Sequence, residues 1–225
     1  MTTEPAGFEP LTPNEARVLA VLVEKRHTVP DAYPMSVNAL QAGCNQKTSR
    51  DPTMELAEAD VLEALEGLRA RSLAIESSGG RVMRYEENAK RALGVPSESV
   101  ALLATLMLRG PQTPAELRAH CERLHRFSDV SAVEAYLEEL AARPQGAYVR
   151  RLARAPGARE ARWVHLLCGE PAGAGAAHAA LAARPAAGEG GAGAPASPGD
   201  ALERLAERVA RLEAEVAALR ARLDG

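Results

Sequence analysis

The segment best equipped to hold a charged ligand is Asn45-Gln46-Lys47-Thr48-Ser49-Arg50-Asp51-Pro52, where two cations stand beside several hydroxyl and amide groups. Such a cluster can bind a phosphate or a peptide. Equally, Asn45, Thr48, Ser49 and Asp51 can satisfy the backbone of an irregular turn. A second candidate set is made of arginines. Arg150, Arg151, Arg154, Arg159 and Arg162 fall within thirteen residues opposed only by Glu160, and Arg81 and Arg84 lie in an earlier segment. These side chains can lie on nucleic-acid phosphates or in a minor groove. The other reading is alternating strand residues that face water.

Metal and catalytic chemistry find less support. Cys121 and His125 are spaced i, i+4 on one helix face beside His120, but two ligands do not make a site, and Cys121 falls on an apolar stripe. The pairs Glu63 with Glu66 and Glu138 with Glu139 lie on polar helix faces without a partner base. Residues 188–193 are glycine-rich, yet no Gly-Lys-Ser/Thr follows, so they do not form a phosphate-binding loop. We therefore expect no cofactor, no metal, no small-molecule substrate and no enzymatic activity.

Composition narrows the classes further. A chain of 225 residues can build its core without staples, and its three cysteines, Cys44, Cys121 and Cys168, are far apart with no Cys-x-x-Cys pair. The N-terminal residues lack a basic and apolar leader, and no apolar run reaches membrane-spanning length, so a reducing, cytoplasmic setting is expected. Net charge is −3, and residues 11–93 and 94–168 are each nearly neutral, without the basic excess that counterion release rewards in dedicated nucleic-acid binders. Few aromatics, with four Tyr, two Phe and one Trp, argue against a base-stacking module.

The elements that must carry these residues repeat. Thr12-Pro13-Asn14-Glu15 is a capping box opening a helix with Ala16, Leu19, Leu22 and Val23 on one face. Ser36 caps a short helix that Gly43 is expected to end in a left-handed conformation. A third helix over about residues 58–72 has the face Val61, Leu62, Leu65 and Leu68, and Gly79-Gly80 joins two strand candidates, 73–77 and 81–86. Beyond Pro96 the order recurs. Ser97 caps one helix, Thr113-Pro114 opens a second with Leu117, Cys121, Leu124 and Phe127 on its face, Ser131 opens a third, and strands 147–153 and 161–167 flank Pro156-Gly157.

The expected fold class is mainly α with small β-hairpin wings: two tandem winged-helix domains plus a C-terminal coiled-coil helix. Its boundaries are a disordered N-terminus 1–10, domain 1 at 11–93, domain 2 at 94–168, a flexible Ala/Gly/Pro linker 169–199 and a coiled coil 200–225. In the last segment Leu202, Leu205, Val209, Leu212, Val216, Leu219 and Leu223 alternate at spacings of three and four. Valine at the two central a positions and leucine at d favour two parallel strands, so a homodimer is expected; a stripe docked on the protein's own surface is the alternative. In a DNA-reading winged helix the third helix enters the major groove. Here those helices carry Glu58, Asp60, Glu63 and Glu66, and Glu134, Glu138 and Glu139, which repel phosphate and leave either an acidic protein-binding surface or an ordinary solvated face.

The run Glu24-Lys25-Arg26-His27-Thr28-Val29-Pro30-Asp31-Ala32-Tyr33-Pro34-Met35-Ser36 followed by the 45–52 loop resembles the signature of the bacterial YceH-like proteins. Leu106-Met107-Leu108-Arg109-Gly110-Pro111 and Arg162-Trp163-Val164-His165 are similar to its second half. The resemblance spans about residues 11–168. It implies a tandem winged-helix fold and little about activity. Two functions are expected from these readings: non-specific DNA binding as a regulator through the wings, Lys47 and Arg50, or a protein-interaction scaffold using the acidic third helices or the polar loop, in the manner of winged-helix subunits of chromosome-structuring complexes.

Overall fold

A computed structural model describes residues 8–77, 82–154 and 159–170. Among these, helices α1 (Pro13–Thr28), α2 (Val37–Cys44) and α3 (Glu58–Ala70) precede an antiparallel hairpin of β1 (Ala74–Ser77) and β2 (Arg84–Glu87). The short helix α4 (Ala89–Leu93) leads to α5 (Ser97–Arg109), α6 (Pro114–Cys121) and α7 (Val130–Ala141), followed by a second antiparallel hairpin, β3 (Val149–Arg151) with β4 (Trp163–His165). The described chain is thus mainly helical with two small hairpins, a winged-helix-like pattern. The linker and heptad segments, Gly79-Gly80 and Pro156-Gly157 lie outside the described residues.

Local chemistry sets the helix starts. Thr12 Oγ1 accepts from Glu15 N at 3.2 Å while Glu15 Oε2 accepts from Thr12 N at 2.7 Å. Thr113 and Glu116 repeat this box at α6, again with proline at the first helical position. Each such cap stabilises its helix by about 1 kcal/mol.

Several boundaries differ from the sequence expectation. Ser97 is the first residue of α5 rather than its cap, and Pro96 supplies the extended preceding residue. Asp129, not Ser131, caps α7 by accepting from Ala132 N at 2.8 Å. Leu124 and Phe127 follow the end of α6 instead of lying on it. Gly43 does not terminate α2 in a left-handed turn; the helix continues to Cys44, and the absent side chain serves packing, since a Cβ there would stand 2.7 Å from Val21 Cγ1. Leu62, expected in the core, is exposed, and Ala64 takes a buried place.

Each half adds one detail with no sequence signal. The residue just before the second helix's cap pairs with the hairpin: Met35 bridges Tyr85, and Gln112 bridges Trp163. The repeat therefore reaches single backbone contacts.

The two halves share one core. Every residue of α1 from Glu15 to Val23 is buried, and so is every residue of α5 from Ser99 to Leu108. A free amphipathic helix buries one stripe; these two bury their whole circumference because they pack on each other as well as on their own halves. Leu19, Leu22, Leu102, Leu103 and Leu106 are fully buried, each contributing about 1.5–3 kcal/mol relative to exposure. Two backbone hydrogen bonds also join the halves, Leu11 N to Leu167 O and Asp51 N to Leu108 O, both 2.7 Å. The described residues all fall within one compact unit.

Candidate functional site

The polar loop is built inward. Asn45 clamps Leu56, its Oδ1 accepting from the Leu56 N–H at 2.8 Å and its Nδ2 donating to the Leu56 carbonyl at 2.9 Å. Arg50, expected on a phosphate, is instead turned into the protein with no exposed side-chain surface. Its guanidinium donates to Gly43 O at 3.0 Å, Gln46 Oε1 at 2.8 Å, and Glu24 Oε1 and Oε2 at 3.3 and 2.7 Å. Arg17, also buried, donates to Cys44 O at 3.5 Å and Pro52 O at 2.6 Å.

The two guanidiniums thus meet the carbonyls at the end of α2, groups that a helix leaves unsatisfied and that favour positive charge. Burial alone would raise the Glu24 carboxyl, but the Arg50 hydrogen bonds and charge outweigh it and hold Glu24 below its ordinary range. Burial pushes the neighbouring Cys44 thiol up to about 12, leaving it protonated. Sequence reasoning did not single out Arg17 and Glu24, since a charge within an apolar helical run gives no sign of its partner.

Lys47 points outward and pairs with Glu55 at 2.6 Å, and Thr48, Ser49 and Asp51 are exposed. Ser49 has a left-handed backbone with φ 60°, and Asp51 uses its N–H to join the second half. Asn45, Gln46, Arg50 and the Asp51 N–H thus tie α1, α2, the approach to α3 and α5 together, while the side chains of Lys47, Thr48, Ser49 and Asp51 are exposed.

The wing arginines divide. Arg84 donates to Pro34 O at 2.7 Å, Arg150 pairs with Glu170, and Arg162 donates to Pro111 O at 2.7 Å and Glu116 at 2.9 Å. Arg151, Arg154 and Arg159 are exposed and form no ion pair among the described residues. Arg81 lies outside the described residues. The second hairpin accordingly presents three cations rather than five.

On the third helices the acids are placed as the periodicity predicts. Glu58, Glu63 and Glu66 on α3 and Glu134, Glu138 and Glu139 on α7 are exposed, while Asp60 accepts from Ala57 N at 2.7 Å and caps α3. Ile75, 42% exposed, lies near Glu66, and Leu62 is exposed one turn before Glu66 on the same helix face; Val82 and Met83, 59% and 44% exposed, belong to the connection between β1 and β2. Glu66, Arg69, Ala70, Ile75 and Asn88 line a shallow depression between α3 and β1.

The residues that suggested metal ligation diverge. His120 Nδ1 meets Gln112 Oε1 at 2.5 Å, Cys121 Sγ meets Thr105 Oγ1 at 3.0 Å, and His125 packs edge-on against Phe127. Burial raises the Cys121 thiol to about 11.

Set beside known proteins, residues 11–158 match the family model described as "Protein of unknown function, DUF480". The chain belongs to the DUF480 family. Among relatives of this DUF480 chain, a UPF0502 protein of Leptothrix cholodnii is 66% identical over 160 residues, covering 71% of this chain and 72% of its own. UPF0502 proteins of Cupriavidus taiwanensis and Burkholderia cenocepacia are 56% and 54% identical, each over 96% of this chain and over 88% and 90% of their own lengths. Those two alignments extend past residue 168, beyond the reach of the resemblance to YceH-like proteins. No helix among the described residues is long and apolar enough to cross a membrane.

Proposed function

We propose that this DUF480 member is a cytoplasmic, non-enzymatic YceH-like protein whose tandem winged-helix units act as a protein-interaction scaffold. One observation carries the reading: Leu62 and Ile75 are exposed beside the acidic Glu66, with Glu63 exposed on the same helix. Apolar anchors beside exposed acids, with Arg69 neutralised by Glu76, suit a partner segment with apolar residues flanked by Lys or Arg. Comparing partners retained by wild type, by Glu63→Lys with Glu66→Lys, and by a control Lys90→Glu tests this face. Selective loss in the reversed variant supports the reading, and a partner set identical in all three overturns it.

A second reading rests on Arg151, Arg154 and Arg159, whose exposure suits backbone contact with duplex DNA of any sequence. It requires a retarded band with random duplex at low salt that disappears when the three are changed to Ala. No retardation even at low salt overturns it. In both readings the heptads 202–223 pair two chains as a parallel coiled coil, raising the effective concentration of weak sites. Val209→Asp with Val216→Asp is expected to halve the solution mass; an unchanged mass refutes the pairing.

A further inference from the structure

A cleft that neither reading uses opens where α6 ends and the chain turns toward α7. Arg118, Ala119, Glu122, Arg126, Phe127 and Ser128 line it. The segment carries Arg118, Arg123 and Arg126 together with Glu116, Glu122 and Asp129, so its charges balance and the placement of the arginines is what distinguishes it. Arg118 is held in place by donating one N–H to Ser128 O at 3.1 Å, which leaves further donors of its guanidinium for a ligand. Arg126, 83% exposed, sits 3.6 Å from Glu122, too long for a good hydrogen bond. The buried Phe127 ring, packed edge-on against His125 and Tyr136, gives the cleft a fixed apolar floor.

Two guanidiniums lining one cleft with an apolar floor match one ligand chemistry. A dianionic phosphate monoester offers both fork-shaped donors an oxygen pair and places its organic group on the floor. We propose that this cleft binds a small organic phosphate, clamped between Arg118 and Arg126, with the Glu122 carboxylate as its internal competitor. The competition follows from placement: Glu122 lies within ion-pair distance of Arg126, 3.6 Å, and repels an entering anion.

The test is a titration of the full-length protein with phenyl phosphate at constant ionic strength, followed by calorimetry or by amide chemical shifts. Saturable binding is expected, weakened about tenfold by Arg126→Ala, an exposed position whose loss leaves the core intact. Glu122→Gln is expected to tighten binding several-fold, which general surface attraction does not produce. Arg123→Ala, outside the cleft, is expected to leave affinity unchanged. Absence of saturation, equal loss in the Arg123 and Arg126 variants, or weaker binding by the Glu122 variant each overturns the proposal. Inorganic phosphate alone distinguishes the anion from its organic group: tighter binding of phenyl phosphate supports the role of the Phe127 floor, and equal binding removes that part of the assignment.

Discussion

Arg50 and Glu24 form a two-point ion pair, 3.3 and 2.7 Å, between the 45–52 loop and α1, with the arginine side chain wholly buried. The pair fixes the loop against the helix that both halves share. Glu24→Gln leaves the guanidinium buried with its charge uncompensated, so a loss of about 3–5 kcal/mol is expected, read as a lower urea midpoint. Arg50→Met at the same site should cost less per buried charge, because Glu24 is partly exposed and can regain water. Equal losses in the two variants would show that packing rather than charge governs the site.

The same pair sets one limb of the pH dependence. Because the folded state depresses the Glu24 pKa, its contribution is present above the ordinary carboxylate value of 4.5 and fades as pH falls through the lowered one. Urea midpoints are expected to drop below about pH 5, and less steeply in Glu24→Gln.

A second limb belongs to His165 on β4, whose Nδ1 is sealed from solvent with no hydrogen-bond partner among the described residues. Burial lowers its pKa from 6.5 to about 4. The unfolded chain takes the proton first, so stability is full above 6.5 and is lost as pH falls toward about 4, by up to about 3 kcal/mol. His165→Leu should flatten this interval while leaving the lower limb, due to carboxylates, in place. A slope unchanged in that interval would acquit His165.

Gly43→Ala tests the closeness of α1 and α2. Alanine gains about 1 kcal/mol of helix propensity, yet its Cβ would meet the buried Val21 at 2.7 Å. A net loss of about 1–3 kcal/mol is expected, recovered in part by Val21→Ala in the same chain. Additive losses in the double variant would place the strain elsewhere.

Cutting the chain between the halves exposes a face of α1 that α5 covers. The fragment 8–93 is expected to bind an apolar dye and to unfold without a sharp transition, whereas the uncut chain unfolds cooperatively. A sharply unfolding fragment would show that the contact between α1 and α5 is dispensable.

What the sequence made legible was what is encoded locally. The capping box at Thr12 and the Thr113-Pro114 pair announced two helices because each signal lies within four residues. Serine misled at 97 and 131, since Pro96 or the Asp129 side chain can begin a helix just as well. The polar loop was visible as chemistry but not as direction: Arg50 reads alike whether it faces solvent or the carbonyls of α2, and only the fold decides. Leu62 fitted the apolar period and yet faces outward, because the period marks a stripe about 100° wide and cannot fix its edges. The Arg118 and Arg126 cleft was illegible, since part of its lining comes from a turn that periodicity does not describe.

The hydrogen bond from Leu11 N to Leu167 O also has a mechanical consequence. The start of α1 and the segment after β4 are thereby joined side by side, so a pull applied at Leu167 loads the start of α1 directly. Tension applied between those two points would meet this seam before the rest of the described fold.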